Sequence, residues 1–354
     1  MKTLLKGFGV ILILLVLCVL YIIKSSGAFR SIKPHFDGET EVLESPAGVE
    51  DITIDQNSGQ IYMAASDRRD FNSPGEIYTF HVSEASPKFK SLGVAKANPE
   101  FRAHGISLLK KYGNTYVFAV SHEPKGDFIY RFEIENDSIV GQKKFGNPEF
   151  HVSINDVVAT DTATFYFTND HGLKHGLERE IKDFMLDKNG YAVLYHNGNY
   201  AKVSQDIAYP NGINVSPDGK YLYVASTTEG VLYVYENDIS GEPLKMVDSH
   251  YAASGLDNIE LDADGNLLIG SHPKLLKFLS HAKHASNRSP SQVLKIVYLP
   301  ETDYKFLQEE LYLDNGDPLS GSSVAAFYLS EGGKNDLFVG SVYEPKILRL
   351  HRNL

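Results

Sequence analysis

Cysteine is nearly absent from the sequence, since Cys18 is the only one among 354 residues. No disulfide can therefore form within the chain, and cysteine usage gives no indication of the redox compartment. Clusters of lysine and arginine are also missing, and the formal net charge is -11. Because a phosphate backbone is bound by clustered positive charge, this balance argues against a nucleic-acid partner. It is compatible with a plain acidic surface and with carboxylates that bind a hard cation.

The composition is that of a folded chain rich in strands. Hydrophobic residues make up 42% of the sequence and charged residues 22%, which allows a large core and lies outside the range of disordered chains. There are 21 tyrosines, 19 phenylalanines and 29 glycines. Aromatic residues favour strands and glycine favours tight turns, so the composition indicates strands rather than helices.

An uncharged apolar run, GFGVILILLVLCVLYII, extends from Gly7 to Ile23 and is followed by Lys24. A helix of this length just spans a hydrocarbon core of roughly 30 Å. We therefore predict that residues 1–30 form a signal-anchor or transmembrane segment and that residues 31–354 form one folded domain. A cleaved signal peptide is the alternative, although no small-residue cleavage site follows closely. Basic residues on both sides of the run do not fix its orientation, and we expect a periplasmic or extracellular domain.

One pattern recurs six times after the apolar run. It consists of a small or apolar residue, a polar pair, an alternating run, a turn and a second run, as in LDNIELDADGNLLIGS. The pairs begin at intervals of 46 to 65 residues, at Glu50, His104, Asn155, Asn211, Asp257 and Ser322. Six repeats at this spacing predict an all-β, six-bladed β-propeller with four strands in each blade. A β-sandwich is the alternative fold, but it would not be expected to repeat a polar pair in register.

Two segments interrupt the repeats. The stretch HGLKHGLEREIKDFML, from His171 to Leu186, predicts a short helix. The stretch from Leu275 to Gln292 predicts a helix or a long loop. Insertions of this kind on one face of a propeller can cover a site, or they can be surface decoration.

The polar pairs are predicted to meet on the propeller axis, because the innermost strand of each blade lines the central channel. Carboxylate and amide oxygens are the ligands of a hard cation such as calcium, whereas zinc requires cysteine or several histidines. We predict one calcium ion on the axis with five ligands: Glu50, Asn155, Asn211, Asp257 and Asn258. Asp51 and Asp156 point the other way along a strand and could hold a second ion deeper in the tunnel. Taken singly, each of these residues is more often a turn residue than a ligand.

Four histidines fall near the same end of the predicted tunnel. His104 occupies the first position of its polar pair, and a neutral histidine beside a cation is a good proton-transfer group. His122 ends the second strand of the same blade, so a hairpin can bring it close to His104. His171 and His272 end the matching strands of two other blades. Each of them taken alone is more often structural than catalytic.

The stretches GVEDITI, HGIS, SINDVVA, FYFTNDHG, NGINVSPDGKYLYVA, DNIELD and SHP resemble the paraoxonase/arylesterase family of calcium-dependent lactonases. The resemblance implies a six-bladed propeller with two calcium ions in the tunnel and the five axial ligands named above. It also implies that Asp51, Asp156 and the backbone carbonyl of Ile106 hold the second ion. It further implies a catalytic dyad of His104 and His122, with His171 and His272 lining the substrate site.

The chain departs from the family in how the ring is closed. Animal members close the propeller with a disulfide between the terminal regions, and both cysteine partners are missing here. Closure must then rely on pairing between the segment around Phe36–Leu43 and the C-terminal strands. The segment over the active site also differs, so the substrate cannot be carried over from the family.

The resulting hypothesis is hydrolysis of a lactone, with cleavage of aryl esters also possible. In it the axial calcium polarises the carbonyl and His104 activates water, with His122 relaying the proton. A gluconolactonase-like or strictosidine-synthase-like propeller with a different substrate is one alternative. A non-enzymatic binding propeller anchored to a membrane is another. The acyl length of the substrate, phosphotriester activity and the oligomeric state are left open.

Overall fold

The computed structural model describes residues 12–13, 16–17, 19–70, 72–173, 187–329 and 335–352. Within these ranges the strands form six antiparallel sheets, of which five have four strands and one has five. The predicted six-bladed all-β propeller is therefore confirmed.

The strand bounds follow the repeats of the sequence. The strands are β1 His35–Phe36, β2 Gly38–Glu44, β3 Val49–Ile54, β4 Gln60–Ala65, β5 Glu76–His81, β6 Lys90–Ser91, β7 Ala103–Lys111, β8 Asn114–Glu123, β9 Gly126–Glu135, β10 Ser138–Phe145, β11 Ile154–Asp161, β12 Thr164–Asn169, β13 Tyr191–His196, β14 Asn199–Lys202, β15 Pro210–Val215, β16 Tyr221–Ser226, β17 Val231–Glu236, β18 Met246–Tyr251, β19 Gly255–Leu261, β20 Leu267–His272, β21 Gln292–Leu299, β22 Lys305–Leu313, β23 Ser322–Leu329, β24 Asn335–Ser341 and β25 Lys346–Arg352. Two short helices are α1 Val94–Ala97 and α2 Leu275–Lys283.

Each blade is a run of consecutive strands that pair in order. Blades 1 to 4 are β3–β6, β7–β10, β11–β14 and β15–β18, and blade 5 is β19–β22. All six innermost strands, β3, β7, β11, β15, β19 and β23, contain one of the polar pairs. The repeat read from the sequence therefore corresponds to the inner strands of the blades.

Ring closure follows the predicted strand pairing. In blade 6 the N-terminal strand β2 lies outside β25, with seven paired residues from Gly38 opposite Arg352 to Glu44 opposite Lys346. The preceding strand β1 pairs with β22 of blade 5, which the sequence did not indicate. The N-terminal segment thus joins two neighbouring blades by backbone hydrogen bonds.

The core is divided among the interfaces between neighbouring blades. Six clusters of buried apolar side chains are present in the described residues, and each draws on two adjacent blades. One example joins Ile52 and Met63 of blade 1 to Phe338 of blade 6. Because strand residues alternate between two faces, each blade packs on both neighbours and holds the inner strands in place.

The predicted insertions are only partly within the described ranges. Helix α2 confirms a helix at the start of the Leu275–Gln292 segment. Most of the predicted helix from His171 to Leu186 lies outside the described residues. The apolar run from Gly7 to Ile23 is also only partly described, and no helix in the described ranges is long and apolar enough to cross a membrane.

Candidate metal and hydrolytic site

Every inner strand has an irregular register at its polar pair. The strand-to-strand register shifts between Val49 and Asp51 in blade 1 and between Leu256 and Ile259 in blade 5. Corresponding shifts occur in the other four blades. A bulge interrupts the backbone ladder and re-aims side chains. The simple alternation used to place the second residue of each pair therefore does not hold at these positions.

In blades 2 and 4 the second residue of the pair is a glycine, Gly105 or Gly212, that lies against the inner strand of the next blade. A Cβ at Gly105 would overlap the side chain and Cα of Asp156, and one at Gly212 would overlap the backbone of Asp257 and Asn258. These two glycines allow adjacent polar pairs to approach, which concentrates the oxygen atoms of other blades near the axis.

The five predicted axial ligands are all buried, with exposed fractions of 1 to 5%. In four of them a buried side-chain oxygen has no hydrogen-bond donor among the described residues: Glu50 Oε2, Asn155 Oδ1, Asn211 Oδ1 and Asn258 Oδ1. Buried polar atoms are normally paired, so a group of unpaired acceptors fits a binding site for a cation. No cluster of three His, Cys, Asp or Glu side chains in the described ranges forms a metal site, so the fit depends on amide oxygens. Mixed carboxylate and amide oxygens suit calcium.

The electrostatics of Glu50 also fit a binding site for a cation. The pKa of Glu50 is raised to about 8, chiefly by burial, with Arg68 opposing the shift and the nearby Asp257 and Asp51 carboxylates adding to it. Asn258 donates its side-chain amide to Glu50 Oε1 at 2.8 Å and to the Glu50 backbone carbonyl at 3.0 Å. A buried carboxylate held among other acids is costly unless a cation compensates it.

The two carboxylates of the second predicted site accept hydrogen bonds from backbone N–H groups of the protein. Asp51 accepts the backbone N–H groups of Ile52 at 2.9 Å and of Ile106 at 2.6 Å. Asp156 accepts those of Val157 at 2.7 Å and Ile213 at 2.9 Å. Each carboxylate thus joins its own inner strand to that of the next blade. Burial raises the pKa of Asp51 to about 7 and that of Asp156 well above its usual range.

His104 and His122 are in direct contact, as the hairpin predicted. His122 Nε2 lies 2.9 Å from His104 Nδ1, and the two rings are nearly perpendicular. On its other side His122 Nδ1 lies 2.8 Å from Asp127 Oδ1. Burial lowers the pKa of His104 well below its usual value, and the charges of Arg68 and His122 lower it further. This direction favours the neutral form of His104, which is the form that a general base needs.

Asp127 is a functional candidate that sequence reasoning missed. Its second oxygen, Oδ2, accepts the backbone N–H of Ile154 at 2.9 Å, which fixes the carboxylate. A signal existed in the hairpin itself, because the turn between β8 and β9 places Asp127 opposite His122.

The two remaining histidines are buried and tied to carboxylates. His272 Nε2 lies 2.8 Å from Asp257 Oδ2, and its ring stacks on Phe278 with a centroid separation of 3.7 Å. His171 Nδ1 lies 2.8 Å from Asp170 Oδ1. His272 therefore supports a predicted metal ligand, while His171 lies near the end of a different blade.

Arg68 is the second candidate that the sequence did not reveal. It follows strand β4, and its Nη2 lies 3.8 Å from Glu50 Oε2. Its side chain is 17% exposed. The second strands of the blades end on the same side as the polar pairs, so Arg68 lies at the mouth of the site.

The tunnel also opens into a cavity on the side opposite the polar pairs. Its volume is about 450 Å³, and its lining includes Thr53, Ser107, Asn214 and Glu260. Each of these four residues follows a polar pair by three positions from its first member. They form the next layer along the inner strands.

The chain is similar to one family and to relatives within it. A family model described as Arylesterase matches residues 69–348. Serum paraoxonase/arylesterase 1 of Homo sapiens is 30% identical over 281 residues, covering 77% of this chain and 76% of that protein. Serum paraoxonase/lactonase 3 of Rattus norvegicus is 32% identical over 268 residues, covering 73% of each. Among solved structures, a luciferin-regenerating enzyme has a TM-score of 0.55 at 14% identity, covering 90% of this chain and 96% of that one, which shows a shared fold.

Proposed function

The chain belongs to the arylesterase family, and on that premise we propose that it hydrolyses lactones and aryl esters at the mouth of the propeller tunnel. The observation that carries the proposal is the group of four unpaired, buried ligand oxygens beside the paired imidazoles of His104 and His122. A cation site supplies an electrophile and the histidine pair supplies a base, which are the two groups that ester hydrolysis requires.

The cation site consists of Glu50, Asn155, Asn211, Asp257 and Asn258, and we propose that it holds calcium. A bound calcium ion would act as a Lewis acid that polarises an ester carbonyl. His272 orients the Asp257 carboxylate by its 2.8 Å contact. Asp51, Asp156 and the backbone carbonyl of Ile106 are proposed to hold a second ion, and the bonds of both carboxylates to neighbouring inner strands would keep them in place without it.

The histidine pair acts as the base through a fixed set of tautomers. The Asp127 carboxylate can only accept, so His122 Nδ1 carries a proton and His122 Nε2 has a free lone pair. His104 Nδ1 then donates to His122 Nε2, which leaves the lone pair of His104 Nε2 free. That nitrogen lies 3.6 Å from Glu50 Oε1, on the side of the metal ligands. Water near Glu50 would therefore lose its proton to His104 Nε2, while Nδ1 passes a proton to His122.

The proposal also includes the protein's location. We propose that the uncharged run from Gly7 to Ile23 anchors the chain and that the propeller lies outside the cytoplasm. Protease protection and alkaline extraction of membranes from the native host test this part. Release of the full-length chain by alkaline carbonate would contradict it.

A substrate panel tests the activity. Purified protein is assayed with aliphatic lactones, aryl esters and phosphotriesters, each with calcium and with EDTA followed by calcium replacement. We expect lactone or ester hydrolysis that EDTA abolishes and calcium restores. Full activity in EDTA would exclude the calcium role, and no hydrolysis of any lactone or ester would exclude the proposed reaction.

A further inference from the structure

Arg68 provides a positive charge at the mouth of the site, beside Glu50. It lies three residues after the end of strand β4, in a loop, whereas the residues at or next to the ends of β8, β16 and β20 are His122, Thr227 and His272. Unlike these side chains, a guanidinium carries a permanent positive charge. The chain carries a net charge of -11, so a cation here does not reflect the general composition.

Among the described residues, the guanidinium of Arg68 has no tight partner. Its contacts with the backbone carbonyls of Gly48, Ser66 and Ala103 measure 3.4, 3.5 and 3.4 Å. Ordinary N–H···O hydrogen bonds measure about 2.7 to 3.2 Å. The nearest carboxylate oxygen, Glu50 Oε2, is 3.8 Å away, beyond hydrogen-bonding distance. A side chain that is only 17% exposed is therefore held in the site with its donors weakly used.

The neighbouring Arg69 is held by shorter hydrogen bonds in the same loop. Its guanidinium donates to the backbone carbonyl of Tyr343 at 3.0 Å and to that of His281 at 2.8 Å. It also lies 4.5 Å from the centre of the Tyr343 ring. Arg69 is thus a structural residue of equal charge whose terminal nitrogens are both used, although its buried Nε has no partner among the described residues. Both terminal nitrogens of Arg68 make only long contacts and remain able to bind a ligand.

Binding of a cation by Glu50 would leave Arg68 without an effective counter-charge. Glu50 is its one carboxylate partner within 4 Å in the described part of the chain. A cation on the five axial ligands neutralises that carboxylate, and a largely buried guanidinium without an anion is unfavourable. An anionic group on the substrate would pair with Arg68, and a carboxylate matches the planar fork of a guanidinium.

We propose that the site selects lactones and esters that carry a carboxylate close to the scissile carbonyl, and that Arg68 binds this carboxylate. This inference rests on the proposed hydrolase function and assigns it a substrate class. Arg68 would then determine specificity, while His104 and the axial ligands perform the reaction.

The test compares two matched lactones, one with a carboxylate on the ring carbon next to the ring oxygen and one with a carboxamide there. The ratio of their kcat/KM values is measured for the wild type, Arg68→Gln, Arg68→Lys and the control Arg69→Gln, all with calcium. A charge-assisted hydrogen bond contributes about 1.5–3 kcal/mol, so Arg68→Gln should lower the ratio about tenfold to a hundredfold. Arg68→Lys should restore part of it, and Arg69→Gln should leave it unchanged.

A binding experiment separates this inference from the proposed reaction. The lactams that correspond to the two lactones are titrated into the calcium-loaded protein and followed by calorimetry. We expect the carboxylate lactam to bind more tightly than the carboxamide, and the difference to be lost in Arg68→Gln and kept in Arg69→Gln. An equal ratio or equal binding in wild type and Arg68→Gln would overturn the role of Arg68. Selective lactam binding without lactone turnover would instead overturn the proposed reaction alone.

Discussion

Buried polar side chains differ in their hydrogen bonding between the two ends of the tunnel. At the end with the polar pairs, Asn155, Asn211 and Asn258 each have a side-chain oxygen without a donor. Three residues further along the same strand as Asn211, the Asn214 side chain donates to the Ile259 carbonyl at 2.8 Å and accepts the Val215 N–H at 2.9 Å.

The other residues of the second layer are paired as well. Ser107 accepts the backbone N–H of Ala159 at 3.1 Å, and the Thr53 hydroxyl contacts Glu260 Oε2 at 3.4 Å. The second layer therefore joins inner strands of different blades, while the layer of polar pairs leaves acceptors for a ligand. A buried polar residue indicates a binding site only where the fold itself does not satisfy it.

The largest effect is expected from removal of the proposed base, His104, at the end of the tunnel with the polar pairs. His104→Gln should lower kcat on a lactone about a hundredfold to ten-thousandfold, the range for general acid–base groups. Calcium affinity, followed by calorimetry, should change little because His104 is not among the proposed ligands. Unchanged turnover in this variant would rule out the histidine pair as the base.

Removal of a ligand should act on the metal rather than on the base. Asp257→Ala takes a carboxylate from the axial set, and even changes behind the ligands cost about tenfold to a hundredfold in metal affinity. We expect calcium affinity to fall at least a hundredfold in calorimetry, with a matching loss of activity at limiting calcium. If Asp257 were only a turn residue, stability would fall while calcium affinity stayed the same.

Asp127→Asn should have an intermediate effect on turnover. An amide can donate to His122 Nδ1 and favour the opposite tautomer, which leaves His104 without its free lone pair. We expect kcat to fall about tenfold to a hundredfold, as for other groups that orient a functional side chain. KM and calcium affinity should stay close to the wild type, and Asp127→Glu should recover part of kcat. A variant whose kcat is unchanged would show that Asp127 only holds Ile154.

The smallest effects are expected from substitutions of Asn211 and Asn214, which lie on the same inner strand and can be compared directly. Asn214→Ala leaves the Ile259 carbonyl without its donor and should cost about 1–3 kcal/mol of unfolding free energy, with calcium affinity unchanged. Asn211→Ala should weaken calcium binding and change the stability of the calcium-free protein less. Urea unfolding in EDTA and calcium titration measure both. If the two variants changed calcium affinity and unfolding free energy alike, the two layers would not differ in their roles.

The sequence was sufficient for the architecture because the fold is a repeat. The positions of the polar pairs identified all six inner strands, and the lack of a disulfide correctly pointed to strand pairing between Phe36–Leu43 and the C-terminal strands. The short pairing of His35 and Phe36 with blade 5 was not predicted, because two residues carry no periodic signal.

The site was harder to predict, since its details depend on register and on loops. Period-two alternation placed Asp51 and Asp156 opposite their neighbours, but the bulge at each pair breaks that rule. Predicting the contact between Asp127 and His122 requires the register of the β8–β9 hairpin, which follows from the number of residues in its turn. Arg68 lies in a loop with no repeated counterpart, and nothing in the sequence pattern indicates that its guanidinium reaches Glu50.

Closure of the ring depends on the N-terminal segment, because strand β2 of that segment pairs with β25 in blade 6. Loss of the chain before Glu44 would remove the outer strand of blade 6 and the added strand of blade 5, exposing the edge of β25. An uncovered strand edge can pair with a strand from another molecule. Proteolytic trimming at this segment would thus leave β25 as an open edge that can pair with a strand of another molecule.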